Sequence, residues 1–229
     1  MRMLLIVCLS AVLFNACNFS KNEQATDSTA MADTARVMTN DWVCIAGERA
    51  GIVTSTTSEQ ELITQLGENV SAHDTIFGSE GFFAIGTILY KGTPNEAHII
   101  WKDTLNFKNP ASVEVGWVEP SNAAKVQWHT NNGIKIGTTL LELEKLNEKP
   151  FRFYGFGWDY GGSVSDWNKG KLIDSDGKSY LSVILGYDYD NQTLAKTADK
   201  LLGDGEFVSS DINAQQLNPF VAKFSISFR

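Results

Sequence analysis

Asp159 sits between two aromatic rings in the run Tyr154-Gly-Phe-Gly-Trp-Asp-Tyr160, with Trp167 close behind. A carboxylate among rings loses hydration, and that loss raises its pKa toward the range useful for acid–base work. Glycoside hydrolysis needs two such groups facing each other; the sequence offers candidates and pairs none. The rings have a chemistry of their own, because Trp and Tyr often dominate contact energy where a partner binds. Tyr154, Trp158, Asp159, Tyr160 and Trp167 are therefore the candidate binding residues, and no residue is assigned a catalytic role. The plainer reading of Asp159 is a strand-end residue that makes a turn or a backbone hydrogen bond.

Other reactive residue types do not assemble into a motif. His73, His98 and His129 lie in unrelated segments, none with a second His or Cys at zinc-ligand spacing. There is no Gly-x-Ser-x-Gly elbow, Walker loop or His-Glu-x-x-His. The glycines of "GFGWDYGG" precede no periodic helix, so they read as strand bends beside bulky rings, not as a dinucleotide loop. "DSDG" at Asp174–Gly177 and "DYDN" at Asp188–Asn191 are too short for a twelve-residue calcium loop and read as turns. No cofactor is expected. Cys44, beside Trp42, Val43 and Ile45, reads as a small buried apolar residue.

The elements that must hold these residues show a doubled pattern. "GIVTSTTSEQELITQLG" (Gly51–Gly67) and "GIKIGTTLLELEKLN" (Gly133–Asn147) each read as a short strand turning into a short helix. Ser58 with Glu61, and Thr139 with Glu142, have capping-box spacing. Leu62 and Leu66, and Leu143 and Leu146, mark one helix face in each. Gly67 and Asn147 stand at the stops, both tolerant of left-handed backbone. Gly51-Ile52 aligns with Gly133-Ile134, and "VEVGW" (Val113–Trp117) matches "VILGY" (Val183–Tyr187) further on. β-branched and aromatic runs broken by Gly, Asn and Asp predict antiparallel hairpins after each helix. A further helix is predicted over Gln192–Leu202, and a final strand over Phe220–Phe228. The expected fold is α+β: mainly antiparallel sheet with a few short helices, built as two related halves, 41–120 and 122–229. On an alternating strand Tyr154, Phe156, Trp158 and Tyr160 share a face. That large apolar face is expected to be mostly buried, with Phe153 and Asp159 on the other side. The competing arrangement is a solvent-facing platform for a sugar, a peptide or a partner protein.

The N-terminus bears on location. Arg2 precedes an apolar run, Met3–Phe14, too short to span a bilayer comfortably. The run ends in "LFNAC", Leu13–Cys17, which resembles the lipobox of bacterial lipoproteins in the loose form of Bacteroidota-type chains. The resemblance implies a signal peptide over 1–16 and acylation of Cys17 as the first mature residue. The lipid would make the membrane the protein's partner. Asn18 is not the aspartate that resembles an inner-membrane retention signal, so the outer membrane is expected, with the leaflet open. Residues 17–35 are polar and small and read as a flexible tether; 36–229 is the expected globular domain. A formal charge of −8 argues against nucleic acid as a partner.

The "G-I-x-I-G-T-T-x-x-E-L" run from Gly133 resembles the strand–helix start of SmpA/OmlA-type outer-membrane lipoproteins. Its tandem use resembles β-lactamase-inhibitor-protein-like domains. The likeness covers Gly51–Leu66 and Gly133–Leu146. It implies a role in protein binding or envelope assembly. The function expected is a membrane-anchored envelope lipoprotein that binds a protein or glycan; the alternative is an envelope hydrolase using carboxylates.

Overall fold

Ser58 and Thr139 each begin a helix by satisfying backbone donors that a helix start leaves unpaired. In the computed structural model, which describes residues 40–116 and 120–229, they precede α1 (Glu59–Leu66) and α2 (Leu140–Asn147). The expected leader, Cys17 and the tether lie outside the described residues, as does Trp117. Ser58 Oγ accepts from Glu61 N at 3.3 Å while Ser58 N donates to Glu61 Oε2 at 2.7 Å. Thr139 and Glu142 repeat both bonds, at 3.3 and 2.8 Å. The preceding turn also repeats: Thr54 N donates to Thr57 Oγ1 and Lys135 N to Thr138 Oγ1, both at 2.9 Å.

The described chain runs β1 (Val43–Ile45), β2 (Arg49–Ala50), β3 (Val53–Thr54), α1, β4 (Val70–Phe77), β5 (Phe83–Leu89), β6 (Ala97–Asp103) and β7 (Lys108–Gly116). It continues through β8 (His129–Thr130), α2, β9 (Arg152–Tyr154), β10 (Val164–Asp166) and β11 (Leu181–Gly186). Last come α3 (Ala195–Ala198), β12 (Glu206–Val208), α4 (Ile212–Leu217) and β13 (Phe220–Ser227). The main sheet is antiparallel, in the order β11-β13-β7-β6-β5-β4. Two small sheets, β3-β2-β1-β8 and β10-β9-β12, accompany it; β1 and β8 pair in parallel. The fold is α+β, as the sequence indicates.

Each capped helix is stitched to the start of one main-sheet strand. Glu59 N donates to Phe107 O at 2.9 Å and Asn109 N to Thr57 O at 3.1 Å, beside the start of β7. Leu140 N donates to Pro219 O at 2.7 Å and Val221 N to Thr138 O at 2.8 Å, at the start of β13. Since β7 and β13 are antiparallel neighbours, the two helix starts grip opposite ends of one ladder.

This geometry corrects three details of the sequence alignment. Thr57 corresponds to Thr138, so Val53 rather than Ile52 takes the place of Ile134; Val53 and Ile134 are both buried. The helix-anchored strand of the second module is β13, whereas the "VILG" strand, β11, lies on the other side of β13 from β7. The left-handed residue that stops α2 is Glu148, not Asn147. Asn147 turns inward: its amide donates to the Lys149 and Trp167 carbonyls, both at 2.9 Å, and accepts from Leu172 N at 3.1 Å.

The predicted helix over Gln192–Leu202 shrinks to the four residues of α3 and a 3₁₀ turn. Asn191 explains the late start. Its side chain accepts from Thr193 N at 3.1 Å and from the Thr193 hydroxyl, a local turn that competes with helix. α4, capped by Asp211, was not anticipated.

The main sheet buries one face. Val113, Val115, Phe224, Ile226, Leu181 and Val183 pack in register toward α1 and α2, and Leu62 and Leu143 join the same core. The opposite face carries Ser112, Glu114, Ser182, Lys223 and Ser225, none of them buried. Trp42, near where the chain enters the described domain, packs on Tyr90 at 4.8 Å, just past the end of β5.

Candidate functional site

β9 stops at Tyr154, so the alternating strand expected over Tyr154–Tyr160 does not exist. Glycine ends it. A Cβ at Gly155 would lie 2.5 Å from Gly203 O, because Leu201–Gly203 crosses there. Phe156 N donates to Leu201 O at 2.8 Å, and Gly203 N returns a bond to Phe156 O at 2.9 Å. The chain then turns back: Gly161 N donates to Trp158 O and Gly162 N to Tyr154 O, both at 2.9 Å. Gly157 and Gly162 hold φ of +86° and +77°, the left-handed region that suits glycine.

The turn reverses the expected sorting of rings. Phe153, expected to face outward, is buried with Phe156 in the core, their centroids 5.9 Å apart. Trp158, expected on a mostly buried face, is 37% exposed, and Tyr160 46%. Trp158 is nonetheless fixed in place. Its Nε1 donates to Gly155 O at 2.8 Å, and Tyr154 and Tyr160 meet it edge-on at 5.6 and 5.3 Å. Trp167 leaves the candidate set: it is buried against Phe151 at 5.2 Å, where its carbonyl receives the Asn147 amide.

The turn docks on the sheet through Leu185 N, which donates to Gly162 O at 2.8 Å. A Cβ at Gly162 would come within 2.0 Å of Leu185 O, so the close approach requires glycine. Docking encloses an open groove of about 760 Å³ at one end of the sheet's uncovered face. β11 and β13 form its floor through Ile184, Gly186, Ala222 and Lys223; the walls are Phe77–Ser79 at the end of β4, the Trp158 turn, and Tyr187 and Tyr189. Ser79 Oγ donates to Asp159 O at 3.4 Å, linking the β4–β5 hairpin to the turn. Phe77 is 79% exposed and Tyr189 68%. Tyr189 stacks on Tyr187 with centroids 4.1 Å apart. Burial, then the nearby Tyr189 and Asp199, raises the Tyr187 pKa.

Sequence reasoning missed Phe77, Tyr187 and Tyr189. The signal available in "DYDN" and in "IFGS" is a ring beside a turn. Asp159 is the one carboxylate lining the groove among the described residues. The Lys223 ammonium pairs with the Glu114 carboxylate on the neighbouring strand.

The remaining reactive groups stand apart from the groove. Cys44 is buried, and burial pushes its thiol up to about 12, far from nucleophilic use. His73 meets Glu59 at 2.9 Å, His98 meets Glu96 at 2.7 Å, and His129 Nδ1 lies 2.8 Å from Gln127 O. In the "DSDG" turn Asp174 binds Arg229 at 2.8 Å, and Asp176 accepts from Lys178 N at 3.0 Å and from the Tyr180 hydroxyl at 2.8 Å. No group of three or more metal-ligating side chains occurs among the described residues. No helix among them is long and apolar enough to cross a membrane.

No protein-family model, curated protein or solved structure matches the chain.

Proposed function

We propose that the protein is a lipid-anchored envelope lipoprotein, held to the outer membrane through Cys17, whose work is to bind a ligand in the groove at the end of the main sheet. One observation carries the binding half of this reading: exposed rings, Phe77, Trp158 and Tyr189, line an open groove on the uncovered sheet face. Ligand sites are typically concave and ring-lined with a few placed polar groups. The lining supplies a single carboxylate, where acid–base hydrolysis of a glycan needs two, and that favours binding over the hydrolase alternative. The "LFNAC" lipobox resemblance supports the anchor.

The test uses ligand-linked stabilisation, since a ligand that binds only the folded state raises the melting temperature. Wild type and Tyr189→Ala are melted with fractionated envelope peptides and glycans. Tyr189 is mostly exposed, so the free proteins should melt alike. A fraction that stabilises wild type and not the variant supports the reading. Equal stabilisation of both places binding elsewhere and overturns it.

A further inference from the structure

We propose that the groove takes an extended basic peptide segment, with a lysine or arginine side chain lying among Trp158, Tyr187 and Tyr189 and its charge facing Asp159. This rests on the groove-binding reading above and names its ligand class.

Charge gives the first argument. Lys223 is the one cation in the lining, and Glu114 already neutralises it. Among the described residues, nothing pairs with the Asp159 carboxylate, which stands exposed at the groove wall. Asp188 and Asp190 flank Tyr189 in sequence, and Asp199 acts on Tyr187 through its charge. An anionic ligand would find no free side-chain partner in the lining, whereas a cation finds an open carboxylate. The chain's formal charge of −8 draws cations at longer range as well.

The rings give the second argument. The face of a Trp or Tyr ring attracts ammonium and guanidinium groups, and arginine also stacks on it. Trp158 is pre-positioned by its bond to Gly155 O, and Tyr189 by its stack on Tyr187, so little ordering is left for the ligand to impose.

Length gives the third. A second depression, of about 210 Å³, shares Phe77, Gly78, Ser79 and Lys223 with the groove and continues toward the exposed rings of Phe82 and Phe83. The two form one trough across the sheet's uncovered face, ring-lined beyond the Glu114–Lys223 pair at the far side and cation-seeking at the near side. A peptide that alternates basic and apolar residues matches both parts.

The experiment is calorimetric titration of the full chain with a synthetic peptide alternating arginine and leucine. Its citrulline counterpart, equal in shape but uncharged, and a neutral hexasaccharide are titrated in parallel. The arginine peptide should bind, weaken in high salt, and bind about tenfold more tightly than the citrulline peptide. Asp159→Asn should weaken it by about fivefold, and Tyr189→Ala more, while Tyr189→Phe, which keeps a ring, should bind as wild type. Equal affinity for the arginine and citrulline peptides, binding of the hexasaccharide alone, or no binding of any probe overturns the basic-peptide proposal. Hexasaccharide binding that Tyr189→Ala abolishes would do so while upholding the groove as the site. Binding of the arginine peptide that is indifferent to both Asp159→Asn and Tyr189→Ala overturns the groove reading itself.

Discussion

Gly155 and Gly162 decide which rings see solvent. One lets the Leu201–Gly203 backbone cross against β9, and the other lets the following turn lie on β11. Between them the chain sinks Phe156 and lifts Trp158. The two rings should therefore answer differently to truncation. Phe153→Ala, from a fully buried site beside Phe156, should cost about 3–5 kcal/mol. Trp158→Ala removes a partly exposed ring and one hydrogen bond to a carbonyl, so it should cost under about half of that. Urea denaturation of the two variants checks the order. A Trp158→Ala loss as large as that of Phe153→Ala would return Trp158 to the core and remove it from the groove.

Elements that are stabilised locally were legible in the sequence. A capping box uses four consecutive residues, so Ser58–Glu61 and Thr139–Glu142 could be read directly, and both helices begin where those boxes place them. The same locality allows a paired prediction. Ser58→Ala and Thr139→Ala should each cost about 0.5–2 kcal/mol, and by similar amounts, because the bonds they delete are alike in length. A pH dependence follows. The Ser58 and Thr139 backbone N–H groups, and then their hydroxyls, hold Glu61 and Glu142 below the ordinary glutamate value of 4.5. A carboxylate with a depressed folded pKa contributes stability that is present above the unfolded value and lost as pH falls through the folded one. Stability should therefore decline on acidification below about 4.5, and the decline should be shallower in Glu61→Gln/Glu142→Gln. An unchanged slope in the double variant would show that the caps do not set it. Elements that depend on distant partners were not legible. The strand expected through Trp158 lost to a crossing segment some forty residues later. α3 lost its first turn to the Asn191 side chain, and α4 is too short to show a helical period. Phe77, on edge strand β4, meets Trp158 and Tyr189, beside edge strand β11, only because the β4–β5 hairpin reaches over the uncovered face and one turn docks on β11, so no local pattern could have grouped them.

At the scale of the molecule, the proposed anchor and the groove can be tested apart. The proposed acylation of Cys17 predicts that Cys17→Ser moves the protein out of the membrane fraction, while the isolated variant keeps any groove ligand. Undiminished membrane attachment of Cys17→Ser would end the anchor proposal, and loss of ligand by the released protein would show that the two are coupled. The −8 charge also predicts weak attraction to anionic lipid.

Trp42, near where the chain enters the described domain, packs on Tyr90, at the end of β5 remote from the Phe77–Phe83 hairpin. Leu89, beside Tyr90, pairs with Ala97, Ala97 with Val115 and Val115 with Phe224, next to Lys223 of the groove floor, so the chain enters at the same end of the strands as that floor, three strand spacings or about 14 Å away.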